Sequence, residues 1–378
     1  MNVLHVITGL GTGGAEAMLL KLAKQHQHHN QFVVSLTQGG KNKALIEALG
    51  IDVLELNLKQ FWLLPIRIFQ VISLIKKQKI DVINAWMYHA MLFASLILPF
   101  APKQLKLFWN VRHSLQDIEQ EKRSLKLIIR LLATLTKRAN AVIFNSQNSR
   151  KEHEKIWNIE HTACFLPNGF ECEQWPSKAS LPVGQANPLF ELLGIDDGLV
   201  IGHVGRAHPM KNHQGLIDAF LDVAAQHLNI HLVLIGKGTE SFSVPNHEAG
   251  IRIHCLGERK DVSQLMPYFD FFVLSSNWGE GFPNVLGEAM LCALPSITTD
   301  VGDSKYLLNN DEWVIPPYQP QQLTQLLAKL VSLPVEQRSQ LGESYRQRVL
   351  ARFSIEFVGR LYDALYLQGV KGLEGSTK

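Results

Sequence analysis

Apolar residues along this chain fall into short, nearly unbroken runs separated by stretches with helical spacing. The runs NVLHVIT (2–8), QFVVSLT (31–37), DVLELN (52–57), DVINAW (81–86), KLFWNV (106–111) and AVIFNS (141–146) have the length and β-branched or aromatic make-up of buried strands. Helical spacing lies between them, near 14–28, 41–49, 61–79, 88–98 and 122–138. Such alternation predicts a mostly parallel, doubly wound sheet. The stretch LPNGFECEQWPSKASLPVGQANP (166–188) has four prolines and no period, and reads as a linker region. Alternation then resumes: strands at 199–205, 230–236, 251–257, 270–276 and 294–300, and helices at 212–227, 261–268 and 284–292. Helical patterns at 320–332, 335–351 and 355–367 close the chain. The expected fold class is α/β, two Rossmann-like doubly wound parallel-sheet domains facing a central cleft. Residues 1–172 would form the first domain and 173–354 the second. In open sheets of this kind, ligands bind beyond the carboxyl ends of the strands, so the loops there deserve the closest reading.

Composition narrows the class. At 378 residues and 46% hydrophobic, the chain has room for two ordinary domains. Four cysteines without a CxxC pair suggest free thiols in a reducing compartment. The first residues lead straight into a strand, so no secretory signal is expected. The longest apolar run, AMLFASLILPFAP, is well short of the ~20 residues of a spanning helix. A cytoplasmic protein is the expectation. Net charge is +3 but unevenly spread: residues 1–170 hold 21 Lys and Arg against 11 Asp and Glu, and the remainder hold 16 against 23. The positive first half would face something anionic, a membrane surface or nucleic acid.

GLGTGGAE (9–16) follows the first strand, and Gly9, Gly11 and Gly14 spell G-x-G-x-x-G. A dinucleotide site also needs an acid after the second strand to grip a ribose. No acid occurs between Asn30 and Lys43, which argues against nicotinamide chemistry. The loop still suits close approach of another group to the backbone.

Two further loops carry chemistry. Arg206 follows the last glycine of GHVG, and Lys211 lies five residues on, just before a helix. A planar fork and a point charge at a strand end make a clamp for a diphosphate. The strand FDFFVLSS runs into NWGEGFPN and then a helix, which puts Glu280 before the turn and Glu288 inside the helix. Gly279 and Gly281 would allow positive φ and close backbone approach there, and Pro283 suits the first helical turn. Carboxylates repel phosphate but accept hydrogen bonds from hydroxyls, so the two acids suit rings on either side of a diphosphate. A sugar nucleotide has that layout.

At this point the chain resembles the retaining GT-B glycosyltransferases of the family-4 (glycosyl transferases group 1) type, whose signature is two glutamates separated by seven residues. EGFPNVLGEAM fits, and GTGGAE, NVRHSL, VIFNSQNSRKE, LPNGFE, GRAHPMKNHQGLIDAF, LIGKG, IHCLGERKDVSQLM and SITTDVGDSKYLL extend the likeness in order. The resemblance implies that Arg206 and Lys211 bind the donor diphosphate. Backbone groups of Gly281, Phe282, Pro283, Asn284 and Val285 would help, although proline supplies no N–H. Glu288 would hold the ribose and Glu280 the transferred sugar. Gly13 and Gly14 would close over the phosphates, His113 would sit near the donor sugar, and the loop of Glu258 and Arg259 would flank the base. The final helix, within 355–378, would cross back to the first domain.

The same resemblance implies front-face displacement, in which the departing phosphate takes the acceptor's proton. No DxD motif is present, in keeping with metal independence, and the donor, expected to be UDP-linked, is a co-substrate, so no cofactor is expected. QHQHHN (25–30) is read as a solvated helix end without an acidic or cysteine partner. Residues 59–80 and 122–138 contain no acid and combine cations with apolar residues, among them Phe61, Trp62 and Phe69. They read as basic amphipathic helices for an anionic membrane surface. That points to a lipid-linked acceptor in lipopolysaccharide, capsule or exopolysaccharide assembly, on the cytoplasmic face of an inner membrane and without nucleic acid. The alternatives are a sugar-nucleotide epimerase of the same fold and a non-catalytic membrane-associated scaffold.

Overall fold

The computed structural model describes residues 1–58, 61–115, 122–182, 187–227, 229–244 and 249–373. Lys59 and Gln60, which open the basic stretch 59–80, lie outside the described residues, as do 183–186 of the linker and the last five residues of 355–378. The chain forms two compact units, Met1–Gly169 together with Ile355–Lys378, and Phe170–Ser354. The sequence reading divided the chain at 172/173; the units meet at 169/170.

In the first unit seven parallel strands, β1 (Asn2–Ile7), β2 (Asn30–Ser35), β3 (Asp52–Glu55), β4 (Val82–Trp86), β5 (Lys106–Val111), β6 (Ala141–Phe144) and β7 (Ala163–Phe165), run in the order β3-β2-β1-β4-β5-β6-β7. β1 is an interior strand, third in that order, with Val3 in register with Gln31 on one side and Val82 on the other. Period-2 alternation divides its side chains between two cores. Leu4 and Val6 pack with residues of α3 (Leu64–Lys77), α4 (Met87–Ile97) and α5 (Arg123–Leu135). Val3 and Ile7 pack with α1 (Gly14–Gln25) and with α14 (Ile355–Gln368), through Val358, Leu361, Tyr362 and Leu365. Two further helices, α2 (Lys41–Glu47) and α6 (Gln147–Glu154), complete this unit's set.

Buried amides on neighbouring strands are satisfied from α14. Asn84 Nδ2 donates to the Tyr366 hydroxyl (2.7 Å) and Asn110 Nδ2 to the Tyr362 hydroxyl (2.9 Å). An unpaired buried amide would cost about 1–3 kcal/mol, so these bonds hold the helix in one register on the sheet.

QHQHHN departs from expectation. His26 is buried rather than solvated, and the missing acid is Asp363 of α14, whose Oδ1 lies 2.8 Å from His29 Nε2. The partner was invisible in the sequence because 334 positions separate the two residues.

The second unit repeats the plan. Strands β8 (Leu199–Val204), β9 (Ile230–Ile235), β10 (Ile253–Cys255), β11 (Phe271–Leu274), β12 (Ser296–Thr299) and β13 (Val314–Ile315) run in the order β10-β9-β8-β11-β12-β13, all parallel. Its helices are α7 (Pro188–Leu193), α8 (His213–Ala224), α9 (Val262–Leu265), α10 (Asn284–Leu291), α11 (Ser304–Leu308), α12 (Pro320–Val331) and α13 (Val335–Arg352). In each sheet the strand order reverses direction once, between β1 and β4 and between β8 and β11. Loops on either side of such a reversal diverge and leave room for a ligand. In the second unit those are the Arg206–Lys211 loop and the Trp278–Pro283 turn.

Candidate nucleotide-sugar site

β8 delivers the chain to Gly205 and Arg206, and a single 3-10 turn, Pro209–Lys211, leads through Asn212, in the left-handed region (φ 54°), into α8. Across the reversal, β11 runs out through Ser275 and Ser276 to Glu280. The two loops are tied together by backbone: Asn277 N–H donates to Met210 O (2.8 Å) and Ser275 Oγ to Lys211 O (2.9 Å). That framework aims Lys211 Nζ at Glu280 Oε1, 2.6 Å away, and Ser276 Oγ donates to the same oxygen at 2.6 Å. Both side chains are nearly covered, at 12% and 10% exposure. In such surroundings each charge needs the other, since an unpaired buried ion carries a large desolvation penalty. Glu280 Oε2 has no hydrogen-bond partner among the described residues and can accept from a ligand hydroxyl. The sequence reading assigned Lys211 to a ligand's diphosphate and Glu280 to its sugar; the structure joins the two side chains to each other.

Arg206 is exposed and makes no ion pair among the described residues, so its guanidinium can turn to an incoming anion. Its backbone is fixed from β9's side, where Ala207 N–H donates to Lys237 O (2.8 Å). Gly236 is in contact there, and a Cβ would overlap the Gly205 carbonyl.

The glutamate turn is held from below. Asp303 N–H donates to Gly281 O (2.8 Å), and Gly302, at φ 63°, passes so close that a Cβ would overlap the Glu280 carbonyl oxygen. Gly279 has the expected positive φ (78°), but Gly281 does not, and a Cβ on it would meet nothing within 4 Å. The turn therefore depends on the conformations of Gly279 and of Gly302, the latter from the β12–α11 loop, which sequence reasoning passed over inside SITTDVGD. Pro283 also differs from expectation: it caps α10 from outside, and Asn284 is the first helical residue. Phe282 is buried, Val285 half-buried, and Glu288 half-buried one turn into α10. Glu258 is exposed, while Arg259 is held within its own loop by two bonds to Asp261 (2.9 and 2.6 Å). That leaves the loop's backbone, rather than the Arg259 fork, as the surface for a base.

His203, inside β8, supports this floor. Its Nδ1 faces Val273 O at 2.8 Å, and burial pushes its pKa down to about 3, so the ring under Lys211 is neutral.

In the first unit, the glycine loop after β1 is packed against its own neighbours. A Cβ on Gly9 would lie 2.7 Å from Thr37 Oγ1, and Asn42 Nδ2 donates to Gly11 O (2.7 Å). The Glu16 carboxylate lies against Gly13, at the N-terminus of α1. A dinucleotide's pyrophosphate would compete with that carboxylate. Gly14 is exposed, with nothing within 4 Å of where a Cβ would stand. His113, just past β5, has its carbonyl bonded by Ser149 Oγ (2.6 Å) and its ring edge-on to Tyr88. The sequence reading missed its neighbour Arg112. That guanidinium donates to Asn110 Oδ1 (2.9 Å), the Tyr362 hydroxyl (2.6 Å) and Asn168 Oδ1, and lies over Trp86.

The two acid-free helices each show two faces. α3 buries Val71 and Ile75 but exposes Ile66 and Phe69, with Trp62 exposed in the preceding turn. α5 buries Ile129 and Leu132 and exposes Leu127 and Leu131 among its basic residues. No helix among the described residues is long and apolar enough to cross a membrane.

Comparison with known proteins agrees with this geometry. A family model for glycosyl transferases group 1 matches residues 189–348, and one for glycosyltransferase family 4 matches residues 12–174. The capsular polysaccharide biosynthesis glycosyltransferase CapH of Staphylococcus aureus is 25% identical over 312 residues, 76% of this chain and 78% of its own. The UDP-Gal:alpha-D-GlcNAc-diphosphoundecaprenol alpha-1,3-galactosyltransferase of Escherichia coli is 22% identical over 249 residues, 63% of this chain and 62% of its own. Among solved structures, Anabaena Alr3699/HepE in complex with UDP superimposes with a TM-score of 0.80 at 22% identity, covering 96% of this chain and 98% of that one.

Proposed function

This chain belongs to the group 1 glycosyltransferases of GT-B fold, and from that premise we propose that it moves a sugar, with retention, from a UDP-linked donor to a lipid-linked surface-glycan precursor. The observation that carries the reading is the Lys211–Glu280 pair at the strand reversal of the second unit, with Arg206 exposed in the same loop.

Arg206 and Lys211 take the donor diphosphate. As the bond from the anomeric carbon to the diphosphate oxygen breaks, the departing group gains charge, and fixed cations stabilise it without a metal. The acceptor hydroxyl oxygen forms its bond on the face being vacated, and its proton passes to the departing phosphate oxygen. Glu280 Oε2 holds a hydroxyl of the transferred sugar, and Glu288 holds the ribose. Backbone groups of Gly281, Phe282, Asn284 and Val285 at the start of α10 assist the phosphates, and the loop of Glu258 flanks the base.

The relative acting on a diphosphoundecaprenol-linked sugar supports a lipid-linked acceptor, and CapH supports a place in polysaccharide assembly. The exposed Trp62, Ile66, Phe69 and Leu127, set among cations, support docking on the anionic cytoplasmic face of a membrane.

The test is turnover of labelled nucleotide sugars by the purified chain with bacterial lipid extract. Label should enter the lipid fraction from a UDP-sugar, with the anomeric configuration of the donor kept in the product. Isomerised donor in the absence of acceptor would replace the proposal with an epimerase. Output that survives Lys211→Ala unchanged would replace it with a scaffold.

A further inference from the structure

Three imidazoles and one carboxylate converge at one corner of the first unit. His26, His28 and His29 follow α1, and Asp363 comes from α14. The Nε2 atoms of the three rings lie 3.5, 3.2 and 2.8 Å from Asp363 carboxylate oxygens. The rings crowd together, with centroids 5.5 Å apart for His26 and His28, 5.2 Å for His26 and His29, and 4.0 Å for His28 and His29. We infer that His26, His29 and Asp363, joined by His28 once its exposed ring turns inward, form a structural binding site for a divalent cation of the zinc class.

The donor set is the first reason. Three imidazole nitrogens and one carboxylate oxygen suit a borderline ion such as Zn2+ and fill a four-coordinate sphere, which marks a structural rather than a catalytic site. Spacing is the second. Ligands at ~2.0–2.1 Å from one ion stand about 3.3–3.4 Å from each other; His26 and His29 Nε2 lie 3.5 and 2.8 Å from Asp363 Oδ1, and His28 Nε2 lies 3.2 Å from Oδ2. The ligand atoms of His26, His29 and Asp363 all lie within 4.8 Å of one another, so closure on an ion needs only side-chain adjustment.

Access agrees with it. Nε2 of His26 and of His29 faces oxygens that only accept, so each neutral ring carries its proton on Nε2 and must pass it to Nδ1 when an ion takes Nε2; Nδ1 of both is buried with no hydrogen-bond partner among the described residues. His26 Nε2 also faces Gly359 O at 3.1 Å, the contact an ion would displace. His28 is 55% exposed and Asp363 26%, which opens a path for entry. A bound ion would fasten the turn after α1 to α14.

The experiment uses the full chain after chelator treatment and desalting, with Zn2+ and Co2+ as probes. Expected are binding of one equivalent of Zn2+, a higher melting temperature with Zn2+, and the visible absorption of four-coordinate Co2+. His28→Ala removes the most exposed ligand without touching the core, and Asp363→Asn keeps shape while removing charge. Each should lower Zn2+ affinity by at least about 10–100-fold, the loss that even outer-sphere partners bring, and should abolish the Co2+ spectrum. The proposal is overturned if the wild type shows neither Zn2+ binding nor a thermal shift. It is equally overturned if wild type, His28→Ala and Asp363→Asn take up Zn2+ alike, which would place the ion on other surface histidines.

Discussion

Lys211 and Glu280, 69 positions apart, meet at 2.6 Å across the point where the second sheet reverses its strand order. One oxygen of the carboxylate is used twice, by Lys211 and Ser276, which leaves the other to face a ligand. Under the proposed function the pair serves stability and binding together, and variants can separate the two roles. Glu280→Gln leaves Lys211 covered without a counter-charge and should lower unfolding free energy by about 3 kcal/mol. It should also lower kcat/KM by ~10²-fold or more. Combining it with Lys211→Met should restore much of the stability and none of the activity. Urea titration and donor turnover on the three variants decide this, and activity within twofold of wild type in Glu280→Gln would remove the carboxylate from the site.

Arg206 gives the complementary case. It is exposed and unpaired among the described residues, so Arg206→Ala should leave the melting temperature unchanged. Loss of a fork on the leaving diphosphate should still reduce kcat/KM by ~10²-fold. Arg206→Lys should recover only part of it. A variant that loses stability and keeps activity would reverse the assignment.

Gly302 and Gly281 make a matched pair. Gly302→Ala places a side chain at φ 63° and against the Glu280 carbonyl, and should cost about 2–4 kcal/mol while displacing the glutamate turn. Gly281→Ala meets nothing within 4 Å and should change stability by less than ~1 kcal/mol. Thermal melts of both test the reading, and equal losses would refute it.

Buried histidines set the acid limb of stability. Burial holds His203 at about 3 and His153 at about 4, against an ordinary value near 6.5. The unfolded chain therefore binds protons first as pH falls. Their contribution is complete above pH 6.5 and is lost progressively between there and about pH 3 to 4. By pH 5 each ring should have lost about 2 kcal/mol of its contribution. Urea midpoints should already fall between pH 7.5 and 6, as stability drops by about 0.8 kcal/mol per ring, and fall further at pH 5; a level profile down to pH 5 would contradict the burial of these rings.

Membrane docking can be tested on side chains that support no core. Phe69 is 71% exposed and Leu127 69%. Phe69→Asp with Leu127→Asp should abolish flotation with anionic liposomes at low salt, leave the melting temperature intact, and preserve turnover of a soluble acceptor analogue. Wild type that stays at the bottom of the gradient would remove the membrane from the account.

Much of the scaffold was legible because its long elements carry clear periods. The pieces that were missed are short or atypical. β7 and β13 have three and two residues, and α6, QNSRKEHE, has no apolar stripe to reveal it. α7 did carry a signal inside the proline-rich stretch. Asn187 caps it, Pro188 opens it and Gly194, at φ 67°, ends it. Loop chemistry after strand ends singled out Arg206, Lys211, Glu280 and Glu288 as candidates, and the structure brings Lys211 and Glu280 into contact. Pairings were not readable: Lys211 with Glu280, His29 with Asp363, and Arg112 with Tyr362 join residues far apart in sequence. Nor could backbone conformation be assigned by glycine alone, as the contrast of Gly281 with Gly302 shows.

α14 belongs to the first unit yet is translated after the second. As the chain emerges, Met18, Leu19 and Leu22 lack the apolar cover that Val358, Leu361 and Leu365 later supply. Asn84 and Asn110 wait equally long for their tyrosine hydroxyls. The second unit is one continuous segment, Phe170 to Ser354. The half that leaves the ribosome first is thus the half that is finished last, and the chain's final turns act as the closing step of its opening sheet.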